Sequence, residues 1–260
     1  MQREELDARA RAATLAVRQA GALAAGYYGR REALSITVKS LQDVVSEADI
    51  ACEDLIVDSL TRAFPDDSFL GEERGLRKNG DATWVIDPID GTANFVRGIS
   101  FWCVSLGLLV GGEPVVGLIY DPVADELFSA TRGGGAFLND SPIRVSGETR
   151  LDRARLCIGF SYRRPVGPHA ADVKRLLDAH CEYSRLGSGA LGMAYTACGR
   201  FDGYWERHNN VWDVAAGLVL VAEAGGRCND FLAGDALDNG NETLAASPAL
   251  FEPLRALLGG

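Results

Sequence analysis

Small apolar residues recur from Leu6 through Ala10, Ala13, Val17, Ala20 and Ala24 at spacings of four and three, with Arg9, Arg11 and Arg18 between them. That spacing is one face of an amphipathic helix, and it predicts an element running to about Gly26. A second helix is marked by Ser46 with Asp49 three places on, a capping-box pair in which each side chain satisfies the other residue's backbone N–H. Cys52, Ile56, Leu60 and Ala63 then share a face until Pro65 stops the helix.

The period then shortens. Residues 84–86, 101–110 and 115–120 are rich in β-branched and aromatic side chains, and Gly111-Gly112-Glu113-Pro114 supplies a turn between the last two runs. Strand-like 156–160, helix-like 170–179, strand-like 202–205, helix-like 213–224 and strand-like 243–246 follow in alternation, before a C-terminal helix. This order predicts an α/β (α+β) chain in which helices cover sheets. No fixed-period repeat, low-complexity tract or Pro/Ser-rich linker interrupts it. We therefore expect one domain over 1–260, built as two fused lobes of about 1–148 and 149–260 that meet near 146–153.

Composition narrows the class. A chain of 260 residues is near the upper limit for one hydrophobic core. Its 47% apolar and 24% charged residues are those of an ordinary globular protein, and no apolar run approaches the roughly eighteen residues that cross a bilayer. The 26 Lys and Arg against 36 Asp and Glu give a net charge of −10. A surface of that sign repels phosphate backbones and anionic lipid unless a local patch or a metal reverses it, so neither nucleic acid nor membrane is expected as a partner. Six cysteines with no Cys-x-x-Cys pair, and Arg and Glu where a signal peptide needs an apolar core, predict a reducing, cytoplasmic setting. His169, His180 and His208 form no cluster in sequence, and each is expected on a loop or at the surface.

The chemistry concentrates in acids. In Trp84-Val85-Ile86-Asp87-Pro88-Ile89-Asp90-Gly91-Thr92-Ala93-Asn94-Phe95 an apolar strand runs into two carboxylates three apart around a proline, which stiffens the turn. Gly91 permits close backbone approach, and Thr92 can open a helix whose free N–H groups face an anion. Two carboxylates about 4 Å apart repel by roughly 4 kcal/mol at an effective dielectric near 20, and an incoming phosphate adds to that. A divalent cation relieves both repulsions, and magnesium suits hard oxygen donors best. Alone, Asp-Pro and Asp-Gly are ordinary turn dipeptides. Two further segments add to them: Phe69-Leu70-Gly71-Glu72-Glu73, which ends an apolar strand on paired acids, and Trp212-Asp213-Val214-Ala215-Ala216-Gly217, which puts an acid at the start of an apolar helix.

Taken together, these three segments resemble the metal-site signature of the inositol monophosphatase family, magnesium-dependent and lithium-sensitive sugar-phosphate phosphatases. The resemblance extends from about Lys39 to the Ala246 region. It implies a layered α-β-α-β-α sandwich of the inositol monophosphatase and fructose-1,6-bisphosphatase type, and a homodimer. By motif position it implies that Glu72, Asp87 and the carbonyl of Ile89 hold one Mg2+, that Asp87, Asp90 and Asp213 hold a second, and that a third, weaker ion involves Glu72. Thr92 and Glu72 resemble the pair that orients the attacking water, and Asp49 the acid that supports the threonine. Gly91 and Thr92 would offer backbone N–H groups to phosphate, and Lys39 matches a basic residue near the metal loop.

Gly187-Ser188-Gly189-Ala190-Leu191 resembles the family's substrate loop, with Gly189 in place of the usual alanine. Glu206, seven before Asp213, falls where inositol phosphatases place an acceptor for ring hydroxyls. The resemblance thus implies hydrolysis of a small polyol phosphate monoester, with myo-inositol monophosphate first, and histidinol phosphate or another sugar or nucleotide phosphate as alternatives. Residues 207–211 (Arg-His-Asn-Asn-Val) depart from the commoner hydrophobic, Pro-containing link to the Trp-Asp pair, and Arg163-Arg164 is read as a solvated face, with substrate or a subunit neighbour as the alternative contact. An aspartyl-phosphate mechanism needs acids two apart, whereas Asp87 and Asp90 are three apart. A regulatory protein on the same fold is the non-enzymatic alternative.

Overall fold

The computed structural model describes residues 1–40, 43–162 and 164–259; Arg163 and the Lys39 side chain lie outside the described residues. The helices are α1 (Arg3–Tyr28), α2 (Glu47–Ala63), α3 (Thr92–Arg97), α4 (Val166–Asp178), α5 (Gly189–Ala197), α6 (Val211–Glu223), α7 (Ala236–Asn239) and α8 (Pro248–Leu258). The strands are β1 (Ile36–Ser40), β2 (Asp43–Ser46), β3 (Ser68–Gly71), β4 (Gly75–Arg77), β5 (Ala82–Asp90), β6 (Cys103–Val110), β7 (Glu113–Asp121) and β8 (Glu126–Thr131). They continue as β9 (Gly135–Leu138), β10 (Ser141–Pro142), β11 (Arg155–Ile158), β12 (Glu182–Ser184), β13 (Gly203–Asn209), β14 (Arg227–Cys228) and β15 (Asn241–Ala246). Apart from the β1-β2 hairpin, two mixed sheets form, ordered β10-β9-β8-β7-β6-β5-β3-β4 and β12-β11-β13-β15-β14.

Five layers follow from where the apolar faces are buried. Helices α1 and α2 cover one face of the large sheet, α5 and α6 fill the space between the sheets, and α4 and α8 close the far face of the small sheet. Each interval has its own core. Strand alternation sends Trp84, Ile86, Leu106, Leu108 and Leu118 toward α1 and α2, while Val85 and Ile119 turn toward α6. Leu156, Trp205 and Leu244 pack with Leu250 and Leu254 beyond the small sheet. The architecture is the α-β-α-β-α sandwich that the resemblance implies.

Local chemistry explains the element ends. Ser46 caps α2, its Oγ accepting from the N–H of Ala48 at 3.2 Å while Asp49 Oδ2 accepts from the N–H of Ser46 at 2.9 Å. Helix α1 extends two residues beyond the expected Gly26, to Tyr28. The β6-β7 turn is tighter than expected, because Pro114 lies inside β7 and only Gly111-Gly112 connects the strands. Residues 187–191, read as a loop, include the start of α5. That helix is buried on nearly every side, so it carries no amphipathic period to read. Among the described residues no helix is long and apolar enough to cross a membrane.

Candidate active site

Three element ends converge. Strand β5 shifts register against β6 between Asp87 and Asp90, the bulge falling on Pro88 and Ile89, where proline has no N–H to give the ladder. Asp87 then accepts from the N–H of Ile89 at 3.1 Å and is 2% exposed. Gly91 leaves the strand at φ 95°, and a Cβ there would lie 3.0 Å from the carbonyl of Phe101, so the turn into α3 requires glycine. Glu72 follows β3, its N–H bonded to the carbonyl of Ile86 at 3.1 Å. Asp213 occupies the first turn of α6, where it accepts from the N–H of Asn210 at 2.7 Å.

These acids feel one another. Burial first, then Glu72, Asp90 and Asp213, push the Asp87 carboxyl well above the ordinary carboxylate range. Burial, then Asp90 and Glu72, do the same to Asp213 against the pull of the Asn210 N–H. Asp90 is raised by burial and opposed by a polar clamp: Ser188 Oγ donates to it at 2.5 Å and the N–H of Ala190 at 2.6 Å, with the N–H of Gly189 at 3.3 Å. The donors are all hard oxygens, buried at Asp87 and Asp90, half-buried at Glu72 and Asp213, and mutually repulsive, which is the chemistry a divalent cation stabilises. Among the described residues, however, no three His, Cys, Asp or Glu side chains form a finished metal-holding group.

Beside this cluster Thr92 Oγ1 lies within donating distance of both Asp49 Oδ1, at 3.1 Å, and the Ile89 carbonyl, at 2.9 Å. Burial pushes the Asp49 carboxyl up to about 6, against bonds from Ser46 and Thr92 that favour its charge. A cavity of about 690 Å3 opens next to the acids, its wall including Asp90, Gly91, Thr92, Ser188, Gly189, Glu206 and Asp213. Asp49, Asp87 and Ile89 are buried and do not reach that wall. Of the expected substrate loop, Ser188 and Gly189 line the cavity, whereas Ala190 is fully buried with its N–H committed to Asp90.

Glu206 Oε2 accepts from Tyr204 Oη at 2.6 Å and Asn209 Nδ2 at 3.0 Å, and Glu206 itself is pushed up to about 7 by burial. Two histidines depart from expectation. His208 is buried in β13 beside the cavity, 2.9 Å from Arg164, and His169 is half-buried against Phe160 with ring centroids 4.6 Å apart; only His180 is exposed. The strand continues past the predicted 202–205 segment to Asn209 and carries His208 with it. Sequence reasoning missed Asn94, whose Nδ2 bonds the carbonyls of Phe101 and Leu186 at 2.8 Å each, and Arg185, which lines the cavity. The available signal for Asn94 was a lone amide in a short helix among small and apolar neighbours.

The sequence profile described as the inositol monophosphatase family matches residues 5–257. A Xylella fastidiosa protein named Nus factor SuhB is 46% identical over 223 residues, covering 85% of this chain and 81% of its own. The inositol-1-monophosphatase of Mesorhizobium japonicum is 41% identical over 242 residues, covering 89% and 91%. The crystal structure of the extragenic suppressor protein suhB of Bartonella henselae superposes with a TM-score of 0.90 at 35% identity, covering 95% of this chain and 97% of that one. With these likenesses beside the layered fold and the acid-lined cavity, the chain belongs to the inositol monophosphatase family and is a phosphoric monoester hydrolase.

Proposed function

We propose that this chain hydrolyses a small polyol phosphate monoester, foremost myo-inositol monophosphate, in a magnesium-dependent and lithium-sensitive reaction. The observation that carries the reading is the convergence of Glu72, Asp87, Asp90 and Asp213 beside an open cavity, where the neighbouring carboxylates raise the proton affinity of Asp87 and Asp213. Two or three Mg2+ would be held by these four side chains and the Ile89 carbonyl. When bound, they supply an acidified water and charge stabilisation on the attacking and leaving oxygens. Glu72 and Thr92 orient the water, and Asp49 fixes the threonine hydroxyl from below. The N–H groups of Gly91 and Thr92 face the phosphate, and Ser188, Gly189 and Ala190 hold Asp90 in its position.

Glu206 supports the polyol assignment. Tyr204 and Asn209 both occupy its Oε2, and Oε1 accepts no bond among the described residues, which leaves it for a ring hydroxyl. Six free cysteines agree with a cytoplasmic setting, and a homodimer is part of the same reading. The test is phosphate release with magnesium from inositol 1-phosphate and from histidinol phosphate. A hundredfold preference for the polyol, about 2.7 kcal/mol in transition-state binding, is expected, and Glu206→Gln should erase most of it. Preferential turnover of histidinol phosphate would shift the assignment to that ester, and equal turnover would contradict a polyol preference. A regulatory role is favoured by relatives named Nus factor SuhB; a wild-type protein that releases phosphate from no ester would establish that second reading.

A further inference from the structure

The turn that carries Glu72 is held from two sides. Glu72, Glu73 and Arg74 join β3 to β4, and Gly71 pairs with Gly75 across the hairpin they close. The N–H of Glu72 goes to the carbonyl of Ile86, next to Asp87, at 3.1 Å. The other two go to one side chain of α2: Glu53 Oε2 accepts from the N–H of Glu73 and Oε1 from the N–H of Arg74, each at 2.9 Å. Glu53 is fully buried, a position a carboxylate tolerates only when its oxygens are bonded. Burial pushes its carboxyl up, and the two N–H groups favour the charged form against that. The chain makes room for it: a Cβ at Gly71 would overlap Glu53 Oε1, so the glycine of Gly71-Glu72-Glu73 is required by the carboxylate behind it. Arg74 also meets Asp54 of α2, Nε to Oδ1 at 3.0 Å, but both side chains are about half exposed and such a pair adds little. Glu53 lies one helical turn after Asp49, on the same face of α2, and Asp49 is the acid bonded to Thr92 Oγ1. Neither carboxylate forms part of the cavity wall.

Building on the phosphatase reading above, we propose that Glu53 is a positioning residue for the reaction: its carboxylate locks the β3-β4 turn so that Glu72 stays turned toward Asp87 and Asp213. Helix α2 thereby sets both members of the water-orienting pair, Thr92 through Asp49 and Glu72 through Glu53. The lock is needed because Glu72 repels Asp87 and Asp213, which drives it out of the cluster whenever no cation is bound. Main-chain bonds on both sides of the turn oppose that push. A carboxylate meets two N–H groups with two acceptor oxygens, whereas a carboxamide offers one oxygen and turns an NH2 against the other N–H. Glu53 itself touches neither substrate nor cation.

The test is magnesium titration of wild-type, Glu53→Gln and Asp121→Asn protein, read by calorimetry and by phosphate release from inositol 1-phosphate. Asp121 is the matched control: it is buried, and its Oδ1 accepts from the N–H groups of Val123 and Ala124 at 2.8 and 3.0 Å, in a turn that presents none of the four acids. Glu53→Gln should weaken magnesium binding by about 10-fold or more, the usual effect of losing a group that orients a ligand. At saturating magnesium its loss should fall on kcat and leave KM nearly unchanged, because Glu53 is no part of the cavity wall. Asp121→Asn should melt lower yet bind magnesium and turn over as wild type does. Glu53→Asp, which returns the charge on a shorter arm, should fall between wild type and Glu53→Gln, and it carries the test if Glu53→Gln does not fold. Magnesium binding unchanged in a folded Glu53 variant, or an equal loss in Asp121→Asn, overturns the role of Glu53 and leaves the phosphatase reading intact. A wild-type protein that neither binds magnesium nor releases phosphate refutes that reading, and the proposal with it.

Discussion

Asp90 shows what a buried acid costs and what it is for. Its carboxylate accepts from Ser188 and Ala190, yet burial beside Asp87 and Asp213 still raises its proton affinity. Asp90→Asn keeps an oxygen for both donors and removes the charge. We expect the metal-free variant to melt a few degrees above wild type, since about 1 kcal/mol moves a chain of this size by roughly 2–4 °C. Turnover should fall by about 10³-fold, close to 4 kcal/mol in the barrier. A variant that melts lower, or that turns over normally, contradicts the assignment. The same burial sets a pH dependence. Asp49 and Glu206 sit at about 6 and about 7, raised from 3.8 and 4.5, so the folded state binds protons that the unfolded chain has released. Stability of the metal-free protein should therefore fall as pH rises from about 4 to about 7. Half-buried His169, lowered by burial and Arg185, acts in the opposite sense, but one imidazole faces raised carboxyls at 49, 53, 87, 90, 121, 206 and 213. Thermal unfolding across that range reads the sign directly.

Helix α6 reaches the acids because the large sheet lets it come close. Gly107 and Gly117 face it, and a Cβ at Gly117 would lie 2.2 Å from the Ala216 carbonyl oxygen. Gly117→Ala must therefore displace α6 and Asp213 with it. A loss of about 1–3 kcal/mol in urea unfolding is expected, together with reduced turnover. Gly26 offers the contrast: it lies in α1, and a methyl group added to its Cα would meet nothing within 4 Å. Gly26→Ala should stabilise the chain by about 0.5–1 kcal/mol without touching turnover. Legibility differs between elements for physical reasons. Helices α1 and α2 each have one wet face, so their periods and the Ser46-Asp49 cap could be read directly. Helix α5 is enclosed between two sheets, and uniform burial erases the pattern. Strands β8 and β9 are short and lie toward the edge of the large sheet, where alternation has few residues in which to show itself.

Across the fold, two sheets and three helical layers bring together acids separated by more than a hundred positions. The motif at Asp87 and Asp90 was visible in sequence because an apolar strand, a proline and a glycine surround it, and Glu72 and Asp213 became legible only through the resemblance that joins the three segments. Long-range partners left no local trace: nothing near Asp90 in sequence announces that Ser188 and Ala190 will clamp it. The contact of Arg164 with His208 was equally hidden, because the two come from separate parts of the chain and each looks like an ordinary surface residue in isolation. Burying several like charges at one end of a cavity makes sense only if a counter-charge arrives there. The most direct measurement is phosphate release from inositol 1-phosphate by chelator-stripped protein as magnesium is returned. Turnover should be absent without the cation and rise saturably with it, with the melting temperature increasing in parallel. Turnover that persists undiminished in excess chelator would contradict a cation-dependent site.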